Sequence, residues 1–341
     1  MLLEPQLVEP FLNFSPNSRL SFEDKSTIYN SLVVLVKSKH PFDEDLQDRA
    51  VSFLNGLIPW GNKQRASELI DGLVPSSAGP PADFIESFVT LFSSPYTKVV
   101  AGASYFLGQT TKASSVADQN RLVESDFIPK LLATAQPHTL PNSVKPTFEY
   151  NRGTIYGFLE VLINCTNLAD PYHLHVLGLT AAIDQFSHRE MIFQKVILPS
   201  SLFVTYLCRN ITLLTSQLRI QFRILLGSLL RVSAYHQKTE TFVLESPITN
   251  AFSSCLSIFE YNYLIRMTLH EILAALKEWK CRNPEVVQSA KRMMQALFSE
   301  GLENALEQML VYDGEKDRDT DVVDFSVWIL RRTGSNLTWH K

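Results

Sequence analysis

Arg219 and Arg223 are the residues whose type and spacing point most directly to chemistry. They stand four positions apart in a segment with helical spacing, so they share one helix face. A guanidinium is a planar fork of donors that fits a carboxylate or phosphate in bidentate fashion. The surrounding charge supports the same reading. From Met191 to Thr239, 49 residues hold no Asp or Glu but carry Lys195, Arg209, Arg219, Arg223, Arg231 and Lys238, a local charge of +6. Phe222, Leu225, Leu226 and Leu229 form the adjacent stripe, which packs into a core. Two arginines beside such a stripe, with Arg231 nearby, are expected to border a groove and anchor an anionic partner segment. The alternative is a solvated helix face whose balancing acids come from elsewhere in the chain.

Other chemistry is poorly supported. Ser299–Asp324 holds nine acids and two bases, and its DRDTD run offers alternating oxygens at Asp317, Asp319 and Asp321. A calcium loop would then need Gly at position 322 and Glu at 328, where the chain has Val322 and Trp328. The run reads instead as a solvated loop that caps a helix from about Thr320. His173 and His175 would share a metal on a strand, but the following LHVLGLTAAI favours a helix, which points the two rings apart. Asp170-Pro171 reads as that helix's N-cap and first-turn proline. There is no G-x-S-x-G elbow, H-E-x-x-H pair, phosphate-cradling loop or dinucleotide fingerprint. No metal, no cofactor and no catalytic residue is expected.

Charged residues are 19% and hydrophobic residues 45% of the 341, so the chain can bury enough surface to offset its ordering entropy. A net charge of −4 gives no general attraction to nucleic acid or to a membrane surface. No run of 18 apolar residues predicts a membrane span. Cys165, Cys208, Cys255 and Cys281 lie 43, 47 and 26 positions apart and form no C-x-x-C pair, as expected of free thiols in a reducing compartment. Glu4, Pro5, Glu9 and Pro10 interrupt any apolar leader at the N-terminus, so the sequons at Asn13, Asn164, Asn210 and Asn336 are expected to stay unmodified. The expected location is the cytoplasm, with the nucleus as the alternative.

The elements that must position these residues are helical. Apolar residues recur at helical spacing nearly throughout, and no Asn-Gly or Asp-Gly hairpin turn occurs. The spacing predicts helices over Lys25–Lys37, Asp45–Leu57, Asp83–Phe92, Thr97 to about Gln109, Val116–Glu124 and Phe127–Thr134. Gly72–Pro81 and the prolines at 137, 141 and 146 mark breaks.

A weak internal repeat organises the helices. Phe84, Ile85, Phe88 and Val89 match Phe127, Ile128, Leu131 and Leu132, each 43 positions later. Such a period marks stacked supersecondary units, none of which can bury its apolar face alone. The stretch Phe84–Gln136 resembles an armadillo repeat, and NRLVESDFIPKLLATA resembles the boundary between its first and second helices. Leu244–Ile248 and Ser299–Leu302 echo that boundary. HEAT repeats, with two helices per unit instead of three, remain the alternative. The opening SFEDKSTIYNSLVVLVKSKHPFDEDLQDRA is also similar to that of a eukaryotic group of armadillo-like proteins, a likeness that implies no function.

The resemblance implies an all-α, right-handed α-solenoid of about 6–8 irregular armadillo- or HEAT-like units. Residues 1–20 would form an arm and 21–341 a single domain, with a hinge at 72–82 and an insertion loop at 136–148. Importin-alpha-type armadillo proteins bind extended peptides along Trp and Asn ladders on their third helices. Resemblance places such an Asn at Asn164 and the corresponding positions at Gln109 and Gly56. Trp60, Trp279, Trp328 and Trp339 do not recur at ladder spacing, so that mechanism is absent or degenerate. The expected function is a non-enzymatic scaffold that binds a protein or peptide, with Arg219, Arg223, Arg231, Asn164 and Gln109 as its contact residues. The alternative is a structural subunit that assembles through its basic middle and acidic C-terminal part, and a helical enzyme is the remaining reading.

Overall fold

Helical spacing becomes helix wherever the chain is described. The computed structural model describes residues 55, 58–73, 89, 92, 97–139, 148–257, 284–299 and 301–302. Among them every regular element is helical: α1 (Lys63–Leu73), α2 (Thr97–Ala113), α3 (Val116–Glu124), α4 (Phe127–Thr139), α5 (Phe148–Asn167), α6 (Pro171–Val176), α7 (Ala182–Ile192), α8 (Ser201–Arg209), α9 (Ser216–Ser233), α10 (Gln237–Glu245), α11 (Ile248–Ser257) and α12 (Pro284–Ser299). A π-helical segment, Phe193–Ile197, follows α7, and a 3-10 turn, Ile211–Leu213, follows α8. The described residues fall into two compact units. One runs to Leu168 and adds Val176–Gly178 and Gln194–Ser200; the other takes Ala169–His175, Leu179–Phe193 and the chain from Ser201 on.

In the first unit, α3, α4 and α5 follow one another with 9, 13 and 20 residues. The Ser115 hydroxyl caps α3 by accepting the Asp118 N–H at 3.1 Å. At the far end the Ser125 hydroxyl donates to the Leu122 carbonyl at 2.8 Å and accepts the Phe127 N–H at 3.3 Å. Asp126 turns the chain with φ +60°, a left-handed conformation that Asp tolerates better than most residues. Lys195 clasps this corner, donating to the Glu124 carbonyl at 2.8 Å and pairing with the Asp126 carboxylate at 2.9 Å. Leu122, Val123, Phe127, Ile128, Leu131 and Leu132 are buried around it.

The tightest packing lies between α2 and α5. A methyl group added at Gly157 would overlap the backbone of Ser104, and one at Gly108 would stand 2.8 Å from the Gly157 carbonyl oxygen. The two backbones therefore meet directly at these glycines. Ser104 turns its hydroxyl back onto the Val100 carbonyl at 2.7 Å, which satisfies it without widening the gap. Below the seam, Val100, Phe106 and Leu107 of α2 and Ile155, Phe158, Leu159 and Leu162 of α5 are buried.

In the second unit, Thr215 caps α9 by accepting the Leu218 N–H at 3.4 Å. The expected echo of the helix boundary is present: α10 ends at Glu245, α11 begins at Ile248, and the Ser246 hydroxyl donates to the Val243 carbonyl at 3.2 Å, as Ser125 does to Leu122. The second echo also falls at a helix end, since α12 stops at Ser299 and Gly301 takes φ +94°. Arg292 of α12 grips Glu240 of α10 through two hydrogen bonds of 2.6 and 2.9 Å.

Several expectations change. Helix α2 runs four residues past Gln109, to Ala113. Helix α4 continues through Pro137 to Thr139, so 136–139 is helical instead of part of a loop. The proline removes one backbone bond, but only in the last turn, where its loss is least felt. Helix α5 begins at Phe148, and α1 includes residues 72 and 73 of the expected hinge. Helices expected at 25–37 and from 320, the arm at 1–20, most of the segment at 45–57, the remainder of the hinge and the acidic run beyond Leu302 lie outside the described residues, as do 140–147 of the insertion.

Because Gly157 faces backbone, which cannot rotate away, Gly157→Ala should cost about 3 kcal/mol. Urea denaturation should show the loss as a lower midpoint.

Candidate peptide-binding face

The α2–α5 pair presents one continuous strip to the outside. On α2 the residues at 98, 101, 105, 109 and 112 are exposed or half-buried, while Val99, Val100, Ala103, Phe106 and Leu107 are buried. This is the 3.6-residue period with its outer stripe occupied by Lys98, Ala101, Tyr105, Gln109 and Lys112. On α5 the matching stripe is Gly153, Tyr156, Glu160, Asn164 and Asn167, each 55 positions after its α2 counterpart. Gln109 and Asn164 thus occupy equivalent places on adjacent helices, as the sequence reading pairs them. The offset exceeds the 43-residue repeat because the stretch between α4 and α5 is longer, which is why the period fails after Gln136.

Side chains across the strip are linked. The Tyr105 and Tyr156 rings stand 5.5 Å apart at 36°. Tyr156 hydrogen-bonds both Gln109 and Glu160, and the Lys112 ammonium meets the Glu160 carboxylate at 3.1 Å. Asn164 donates its amide to the Glu160 backbone carbonyl at 2.7 Å. Burial, followed by the charge and hydrogen bond of Glu160, pushes the Tyr156 phenol up to about 12, against a smaller opposing effect of Gln109. The phenol therefore stays protonated and donates to the carboxylate. Such a face combines flat apolar area, amide groups and one charge pair, the materials that hold an extended peptide.

The arginines behave differently from expectation. Arg223 is 0% exposed and Arg219 8%, so α9 turns both into its packed side together with Phe222, Leu225 and Leu226. A spacing of four puts residues on one helix face but does not say which face is outside. As an anion anchor on a groove surface the pair is therefore corrected. Arg231 is half-buried; its guanidinium donates to the Ser228 hydroxyl at 3.2 Å and lies near Asp170. Lys195 pairs with Asp126 and Lys238 with Glu190 at 2.6 Å. The local charge of +6 is thus largely spent inside the protein.

Asp170 caps α6 as expected, accepting the His173 N–H at 3.0 Å and meeting the His173 ring at 2.9 Å. Burial pushes the Asp170 carboxyl up, but the His173 bonds and the Arg231 charge outweigh it and hold the group below its ordinary value. His175, two positions on, is exposed. Among the described residues no group of three His, Cys, Asp or Glu side chains is arranged to hold a metal, and no single helix is long and apolar enough to cross a membrane.

A second polar cluster ties the other unit together. Buried His236 meets Glu190 at 3.2 Å and the Thr239 hydroxyl at 3.0 Å, and Arg189 lies 5.1 Å over the Tyr235 ring. An open cleft of about 530 Å³ lies beside it, lined by Tyr235, His236, Glu240, Gln288 and Arg292 among others. Two of its charged residues, Glu240 and Arg292, are matched with each other within the fold.

The comparisons with known proteins bear on the fold. No family model matches the chain, and no curated protein matches it. A designed armadillo repeat protein, solved in complex with the peptide (KR)4, matches over 89% of this chain and 98% of its own, with 13% identity and a TM-score of 0.53. The fold is that of a helical-repeat protein. An engineered protein covers 96% of this chain and 99% of its own at 11% identity, with a TM-score of 0.22 that carries no argument. Within the helical-repeat frame, α2 and α5 are two long helices packed against each other. Sequence reasoning named Gln109 and Asn164, which lie on these strips, and did not name Tyr105, Tyr156, Glu160 and Lys112 beside them; the repeated 3-4-4-3 spacing of the two strips was the available signal.

Two outcomes follow from this geometry. Arg223→Glu should destabilise the protein by about 3 kcal/mol or more, because a buried charge is reversed. A lowered melting temperature would show it, whereas a surface role predicts an unchanged one. The native Tyr156 phenol holds its proton to about 12, whereas an unfolded tyrosine releases it near 10. Its contribution to stability is therefore fully present below pH 10 and lost as pH rises towards 12. Denaturation midpoints should fall over that window, and less so in Tyr156→Phe.

Proposed function

We propose that this protein is a non-enzymatic scaffold that binds an extended protein or peptide segment across the α2–α5 face. The observation that carries the reading is the pair of matched strips, with the Tyr105 and Tyr156 rings tilted against each other and Gln109 and Asn164 in equivalent places on adjacent helices. Repeated stripes at fixed spacing suit an extended chain, whose side chains also recur at fixed intervals. The solved neighbour is a designed armadillo protein in complex with a peptide, which supports a partner of that kind for this fold. Gln109 and Asn164 are the amide contacts in this reading, and Arg219, Arg223 and Arg231 act within the fold.

Selection from a random peptide library displayed on phage tests this. The wild-type protein should enrich peptides whose binding falls by about tenfold or more in Tyr105→Ala, Tyr156→Ala, since central aromatic residues dominate such contacts. Circular dichroism should show the double variant still helical. Peptides that bind both proteins equally would place the binding surface elsewhere.

A further inference from the structure

Glu160 is out of place on its strip. Gly153, Tyr156, Asn164 and Asn167 are half-buried, yet the Glu160 side chain is 4% exposed, although the helical period sets it on the same outer stripe. Its stem packs against α2 at Gly108, and its carboxylate is met by side chains. Lys112 reaches across from α2, with its ammonium 3.1 Å from the carboxylate and its own side chain 52% exposed. The Tyr156 hydroxyl approaches on the same helix, and the Tyr105 ring stands against Tyr156.

The pair is unequal. A carboxylate removed from water needs a cation or several donors, and it loses heavily when left alone. Lys112 cannot leave that carboxylate bare, but half of its own side chain is already in solvent, so exchange for another cation exposes little more of it. Aromatic rings beside the carboxylate add a second attraction for a cation. The site is thus built around a fixed anion whose cation is reached from solvent.

We propose, building on the peptide-binding reading above, that Glu160 is the receptor for a Lys or Arg side chain of the bound segment and that Lys112 occupies this position in the free protein. Lys112 then acts as a built-in competitor: a guest cation displaces it, and its ammonium swings out to water. The partner chemistry is cationic at this position, opposite to the anionic partner expected from the arginine-rich middle of the sequence. An arginine guest gains most, since its planar fork fits the carboxylate in bidentate fashion and stacks on the tyrosines.

Fluorescence anisotropy on the full chain tests this, with labelled octapeptides of alternating Lys and Arg, of alternating Glu and Ser, and of alternating Gln and Ser. Lys112→Gln should bind the basic peptide about tenfold more tightly than wild type, and Glu160→Gln about tenfold less tightly. In the double variant the gain from Lys112→Gln should vanish. Melting curves accompany each variant, and Glu160→Asp, which keeps the charge, should keep most of the binding if Glu160→Gln unfolds. Equal affinity of wild type and Lys112→Gln for the basic peptide would overturn the proposal. So would preference for the neutral or acidic octapeptide with Glu160→Gln unaffected, an outcome that leaves the peptide-binding reading standing if Tyr105→Ala, Tyr156→Ala still abolishes that binding. If no octapeptide binds wild type or Lys112→Gln, both readings fail.

Discussion

The contact on which the first unit depends is backbone against backbone. Where Gly157 of α5 meets Ser104 of α2, no side chain separates the helices, and Gly108 repeats the arrangement one turn along. Dispersion falls steeply with distance, so such closeness gathers many weak contacts over a short length. It also decides what stands outside. With the small residues spent on the seam, Tyr105 and Tyr156 are pushed to its upper edge, where their rings meet. The charged pair of Lys112 and Glu160 spans the same gap because the helices are near enough for one lysine to cross it. A wider spacing would leave Glu160 facing water, without the partner that shields it.

Charge pairs of two kinds serve the fold. In the first unit Glu160 lies under a single flexible base on an outward strip, while Asp126 is clasped at a helix corner by Lys195. The second ties its acids to bases between helices: Glu240 is gripped at two points by Arg292, and Glu190 meets both Lys238 and His236. The bidentate grip fixes both partners in one geometry, whereas a lone lysine amine can let go without disturbing the backbone. That contrast is the physical reason for regarding the first as a place of exchange and the second as part of the frame.

Helical character and element boundaries were legible wherever capping chemistry was local. Val116–Glu124 appears with its predicted ends because Ser115 and Ser125 act within three residues. The Asp170 cap was legible for the same reason. Burial of the arginines was not, since an arginine at helical spacing looks alike on either side until the neighbouring helices are in place. Nor was the link from Gln109 through Tyr156 to Glu160, because it joins residues about fifty positions apart across a stretch where the 43-residue period breaks. Local signals survived that break, and the pairing of strips required the third dimension.

The longer stretch between α4 and α5 has a consequence of its own. The α2 and α5 strips keep the same 3-4-4-3 spacing although the chain between them exceeds one repeat by twelve residues. Alignment of the face is therefore set by how glycine meets backbone at the seam, and not by the number of residues that separate the two helices. Register here belongs to the contact, so counting residues along the chain loses a pairing that the packing of two backbones keeps.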